Sequence, residues 1–219
     1  MNLRLLKSIF TCGFLLLIAA FSLHAQKTDS ANGHEINKRP LRDLTNAVTE
    51  QVKNGEIDLN APFLLELKGS LSKDGKLDTK TTKFVKEEGD PRMVKVAKNS
   101  LEAISDSGYL QYLNDLGCSD ISFRISQNTQ DFDGLITCDT LNEKRARAFQ
   151  STLNMLISMV GMEAKSDDAS PKLKQEMLLL QNVTATQKNS VVSFIFMSPK
   201  ATFWEIVIGS DKTGTQTEH

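Results

Sequence analysis

Histidine is nearly missing from this chain, with three among 219 residues. Outside the N-terminal apolar run only His34 and His219 remain, one in a polar leader and one in a polar tail. Histidine is the commonest general base and metal ligand, so Ser-His-Asp and Cys-His catalysis are excluded, as is a buried histidine metal site. G-x-S-x-G, a Walker loop, H-E-x-x-H and a dinucleotide fingerprint are absent too. Cysteine is also sparse. The three residues Cys12, Cys118 and Cys138 contain no C-x-x-C spacing, and two cysteines alone do not make a zinc site. No cofactor and no metal are expected. An excess of positive charge is lacking: the chain has 26 basic and 27 acidic residues, which offers no basic face for nucleic acid.

The most informative stretch is residues 1–25, MNLRLLKSIFTCGFLLLIAAFSLHA. Arg4 and Lys7 precede an apolar run from Ile9 to Leu23, and Ala25 is a small residue at the exit. That is the layout of an export signal cut after Ala25. The alternative is an uncleaved anchor. A spanning helix needs about 20 apolar residues and this run has about 15, but Leu23 is larger than an A-x-A cleavage pattern prefers. Export places Cys118 and Cys138 in an oxidising compartment, where a structural disulfide between them is plausible. They flank a candidate hairpin with a turn near Asn128.

Gln26 to Arg39 reads as a flexible leader. From Pro40 to Lys53, Leu41, Leu44, Val48 and Val52 recur at helical spacing. Pro62 to Leu71 alternates as a strand, Lys73-Asp74-Gly75-Lys76 is a hairpin turn, and Leu77 to Val85 is the return strand. Asp90-Pro91 opens a helix, with Asp90 as N-cap and Pro91 in the first turn, and Gly108 stops it.

The pattern recurs. A hairpin from Ile121 to Cys138 is followed by Thr140-Leu141-Asn142-Glu143, a capping box, and by a helix with Ala146, Phe149 and Leu153 on one face, closed by Gly161. Glu163 to Ala169 reads as a charged loop and Ser170-Pro171 opens a further helix. Val183 to Gln187 and Val191 to Met197 form a third hairpin, before a short helix containing Phe203 and Trp204. Three hairpins, each followed by a helix, mean an α+β fold with antiparallel sheet covered on one side. The expectation is two small layered lobes, 40–115 and 116–209, or one fused unit, with a disordered tail over 210–219.

Few groups remain for chemistry. The acidic pairs Asp131 with Asp133, Asp167 with Asp168 and Glu87 with Glu88 suit a carboxylate acid and base or calcium, but each falls in a turn or loop where solvated acids are usual. Tyr109, Tyr112, Phe203 and Trp204 are aromatic candidates for partner contact, set against the commoner role of capping the sheet.

Residues 62–104 carry a strand PFLLELKGSLS, the K-D-G-K turn, a second strand and E-G-D-P-R-M-V-K-V-A-K-N-S-L-E-A-I. This run resembles the C-terminal domain of TonB-type energy transducers. There strand, D/N-G turn, strand and S-G-D-P-x-L-D-x-A-A follow in order, and Gly89, Asp90, Pro91, Met93 and Ala97 hold the matching positions. The resemblance implies a periplasmic domain that contacts a receptor and passes on force from an inner-membrane motor. The leader, about 15 residues at about 3.5 Å each, is too short to cross a periplasm. The expectation is therefore an exported, non-catalytic protein-binding module, periplasmic or secreted, with a protein partner in the cell envelope, no nucleic acid, and membrane contact only if the N-terminal segment is kept. The expected contact surfaces are exposed strand edges. The alternatives are a membrane-anchored TonB-like transducer and a carboxylate-dependent hydrolase.

Overall fold

Alternation of apolar and polar residues runs through five of the six strands with the apolar phase on the same side, and the sixth, an edge strand, carries Phe84 opposite buried Leu67. Leu65 lies opposite Ile125, Phe123 opposite Ile136 and Ile136 opposite Phe194, so the buried side chains of neighbouring strands form continuous rows. The computed structural model describes residues 36–164 and 171–209. Residues 1–25, the expected export signal, together with most of the leader, Asp167, Asp168 and the tail lie outside them.

The elements in chain order are α1 (Arg39–Lys53), β1 (Phe63–Ser70), β2 (Lys83–Gly89), α2 (Pro91–Asp106), α3 (Leu110–Asp115), β3 (Cys118–Gln127), β4 (Asp131–Thr140), α4 (Glu143–Ala164), α5 (Pro171–Leu180), β5 (Val183–Lys188), β6 (Val191–Pro199) and α6 (Lys200–Gly209). The strands form one six-stranded sheet, ordered β2-β1-β3-β4-β6-β5, with every neighbouring pair antiparallel. The fold is α+β, and of the two arrangements open to the sequence it is the fused one. β1 pairs with β3 from Phe63–Gln127 to Ser70–Asp120, directly across the expected division between lobes. That division is occupied by α3, a short helix the sequence did not announce.

Local chemistry explains the helix boundaries. The Asp90 carboxylate accepts hydrogen bonds from the amides of Arg92 and Met93, both at 2.9 Å, and satisfies two of the orphan donors at the start of α2. Met93, Ala97, Leu101 and Ile104 then face the sheet. The start of α4 differs from the expected capping box. Thr140 ends β4 and gives its hydroxyl proton to Ser190 O or Asn142 O, so Asn142 caps the helix through the Arg145 amide at 3.0 Å. Glu143 instead pairs with Arg147, one turn on. Nor does Gly161 close α4. It lies within the helix, where a β-carbon would stand 3.1 Å from the Met177 methyl of α5.

The first hairpin also departs from the sequence reading. Ser72 and Lys76 close the Asp74-Gly75 turn, and Leu71 bridges Leu77. The chain then turns again, because Asp78 O accepts from the amides of Thr81 and Thr82 and the Asp78 carboxylate from that of Lys80. The return strand therefore begins at Lys83 and runs on to Gly89.

The segment before β1 and the last helix meet at one buried node. Gln127, at the end of β3, is 2 % exposed. Its amide nitrogen donates to Leu59 O at 2.8 Å and Ala61 O at 3.0 Å, while its amide oxygen accepts from the Trp204 indole at 2.6 Å. Beside it Phe132 stacks on Phe203, with centroids 3.7 Å apart, and meets Phe63, Phe196 and Trp204 edge-on. Such aromatic pairs contribute about 0.5–1.5 kcal/mol each beyond their burial.

Removing the Gln127 side chain leaves two carbonyls and an indole N–H without this partner. Gln127→Ala is expected to cost about 2–4 kcal/mol, more than a solvent-facing polar-to-alanine change on the same strand such as Ser122→Ala. Urea unfolding of both variants measures it, and equal midpoints would refute the role.

Candidate functional site

A sheet covered on one face has two edges, and here they are treated differently. At the β5 edge the two-residue turn Asn189-Ser190 joins Lys188 to Val191, and the Met197 amide donates to Asn182 O. These contacts fix the alternation, so Val183, Ala185 and Gln187 turn their amides and carbonyls away from β6. α4 lies along this edge, and Gln150 of α4 donates from Nε2 to Ala185 O at 3.0 Å. The middle of the β5 edge is thus covered by a helix.

Among the described residues nothing pairs with the β2 edge. Its residues are exposed except Phe84, which is half-buried. The Asp90 amide donates to Pro62 O at 2.9 Å, so Glu88 and Lys86 face β1 and Glu87 and Gly89 turn their backbone groups outward. A register shift beside Glu66 and Leu67 leaves Val85 without an opposite residue, 49 % exposed. Between β2 and α2 runs a notch of about 370 Å³, lined by Glu87, Gly89, Pro91, Val94, Lys95 and Lys98. Lys98 Nζ lies 2.6 Å from the Glu87 carboxylate and 4.5 Å from the Phe84 ring centroid, tying the strand to the helix. On the opposite side of the strand Lys86 lies 3.3 Å from Glu88.

Gly89 is obligatory at this corner. Its φ is +87°, and a β-carbon there would stand 2.3 Å from Pro62 O. In the sequence Gly89 stands out only as a position of the TonB-type pattern before the helix start, and Glu87 only as one of an acidic pair. The available signal was Lys83, Lys86, Glu87 and Glu88 within one short extended run, a charge content that central strands avoid. Gln150 carried no such signal.

A second groove, about 310 Å³, lies between α1 and α2 and is lined in part by Leu44, Val48, Ile57, Arg92 and Lys95. Arg92 bridges it by donating to Glu56 O.

The uncovered face of the sheet carries Leu135, Ile195 and Met197, the last two exposed, around Asp133. One Asp133 oxygen meets no hydrogen-bond donor among the described residues. Burial pushes the Asp133 carboxyl above its ordinary value, Asp131 adds to the shift and Arg124 opposes it. Asp131 and Asp133 sit on a broad sheet face, outside the notch and the groove. Glu87 and Glu88 are held apart by Lys98 and Lys86 on opposite sides of their strand. Among the described residues no group of three or more His, Cys, Asp or Glu is placed to hold a metal ion.

The aromatic candidates are divided. Tyr109 and Phe203 are wholly buried and pack the core. Tyr112 and Trp204 are half-buried; burial, then Asp115, raises the Tyr112 phenol, and the Trp204 indole is bonded to Gln127. The four do not form one surface. Cys118 and Cys138 are joined by a disulfide, with Cα atoms 5.4 Å apart. They are not directly opposite: Cys118 pairs with Thr140 and Cys138 with Ile121, with a register shift next to Cys118. Among the described residues no helix is long and apolar enough to cross a membrane.

Two outcomes follow. Asp133 holds its proton more tightly folded than unfolded, so its contribution to stability falls as pH rises through the carboxylate range. Asp133→Asn is expected to raise the melting temperature at pH 7, with the gain vanishing below the ordinary carboxyl value of 3.8; a gain equal at both pH values would contradict this. The disulfide closes a separation of 20 residues. Its replacement by alanines is expected to cost about 3 kcal/mol in denaturant unfolding, and an unchanged midpoint would show that it does not constrain the chain. Comparison with known proteins adds no identity: no family model, no curated protein and no solved structure matches this chain.

Proposed function

We propose that this chain is an exported, non-catalytic protein-binding module of the cell envelope that takes an extended segment of a partner along β2. The observation that carries the reading is the contrast between the edges. β2 presents outward backbone groups at Glu87 and Gly89 beside an open notch, whereas α4 covers Ala185 on β5. Strand addition draws affinity from main-chain hydrogen bonds and specificity from the side chains that line the groove. Here the groove wall is α2, with Pro91 and Val94 as apolar contacts and Lys95 and Lys98 as charged ones.

Two further features support the reading. The export signal at residues 1–25 agrees with a disulfide, which persists in oxidising compartments. The resemblance of residues 62–104 to TonB C-terminal domains covers β1, β2 and α2, the elements that build the notch.

Glu87→Pro tests the edge. It removes an outward amide while Glu88 and Lys86 keep the bonds to β1. Binding of an envelope partner, measured by calorimetry, is expected to weaken at least roughly tenfold, while Gln187→Pro on the covered edge leaves it intact. Unchanged binding by Glu87→Pro would remove β2 as the docking strand.

A further inference from the structure

An exposed strand edge is a hazard, and β2 carries two devices that limit it: a bulge at Val85 and a high density of charge. The order of those charges is informative. Lysines occupy the first half, at Lys83 and Lys86, and glutamates the second, at Glu87 and Glu88. A strand that adds antiparallel must therefore offer acid first and base second, in its own reversed direction. β2 itself meets that requirement. Building on the reading of β2 as the accessible edge, we propose that β2 pairs antiparallel with β2 of a second copy, across a two-fold axis at Glu87, and joins two six-stranded sheets into one.

The register follows from backbone and charge together. Glu87 and Gly89 point their amides outward, so only registers that match outward residues with outward residues make ladder bonds. With the axis at Glu87, Lys86 lies opposite Glu88 of the second copy and Glu88 opposite its Lys86. Both pairs form on the uncovered face, and the present Lys86–Glu88 contact at 3.3 Å exchanges for two contacts between copies. Moving the axis by one position fails on either side. At Lys86 it sets lysine against lysine, and at Glu88 glutamate against glutamate. Like charges directly opposite destabilise a strand pair, so the charges select one register.

Two details fit this register. The glutamates on the axis face the helix side, where each has its own Lys98 at 2.6 Å to offset their repulsion. Exposed Val85 falls opposite Gly89, the position in β2 without a side chain.

The test uses the purified full chain. Light scattering across a concentration series is expected to show the mass rising from one copy to two, and added salt is expected to weaken the rise. Hydrogen exchange at Glu87 and Gly89 slows as the dimer forms. Lys86→Glu is expected to weaken self-association roughly tenfold or more, and Glu88→Lys to do the same. The double change Lys86→Glu with Glu88→Lys restores it, and unchanged urea-unfolding midpoints show that the single variants fold. A single-copy mass throughout the series overturns the proposal. So does a dimer indifferent to Lys86→Glu, or a double variant that stays monomeric. A protein that remains single while an envelope partner protects the Glu87 amide loses the self-pairing and keeps the strand-addition reading. A dimer that obeys the charge swap, with Glu87→Pro still binding the envelope partner, does the reverse.

Discussion

The fold hangs on the three hydrogen bonds of Gln127. Through Leu59 and Ala61 they fix the approach to β1, and through Trp204 they fix α6, the last described element. A buried amide is costly unless its donors and acceptor are met. Here the donors are met by the 59–61 segment and the acceptor by α6, so neither can move without leaving part of the amide unpaired. The Phe132 cluster packs beside this point and adds apolar weight to the same junction. The polar contact sets position, and the aromatic packing supplies most of the burial.

All the helical cover lies on one face because the apolar phase of every strand agrees. That agreement leaves the opposite face to a mixture of polar side chains, including Glu66 beside Arg124 and Ser122 bonded to Thr137, and the apolar Leu135, Ile195 and Met197. It also concentrates burial on the side where the disulfide lies, since Cys118 and Cys138 are both buried. The hydrogen bond from α4 to Ala185 on β5 and the bulge in β2 then make the two edges unequal.

Much of this was legible in local sequence. Asp90-Pro91 marked a helix start because capping involves only neighbours in the chain, and the third hairpin showed in the alternation from Val191. The disulfide was open to inference from spacing around one turn. The merging of halves was not legible, because the pairing of Phe63 with Gln127 spans a separation for which no local pattern exists. Gln127, next to the expected turn near Asn128, was not legible either, since a polar side chain at the end of an alternating run gives no sign of burial. The displaced start of β2 was hidden by Thr81 and Thr82, which suit a strand but serve a turn. Of the candidate site, the charges of β2 were visible and its position at the rim was not.

The hydrogen bond from Gln150 to Ala185 has a bearing on how far assembly can go. A sheet with two open rims is a two-ended monomer in the polymer sense, and its head-to-tail growth has no natural stop. With the middle of one rim covered by its own helix, the described residues leave β2 as the open end. Joining two such ends exhausts growth, so the product is closed under two-fold symmetry and cannot extend into a fibre. The seal on β5 therefore acts as a chain terminator built into each subunit.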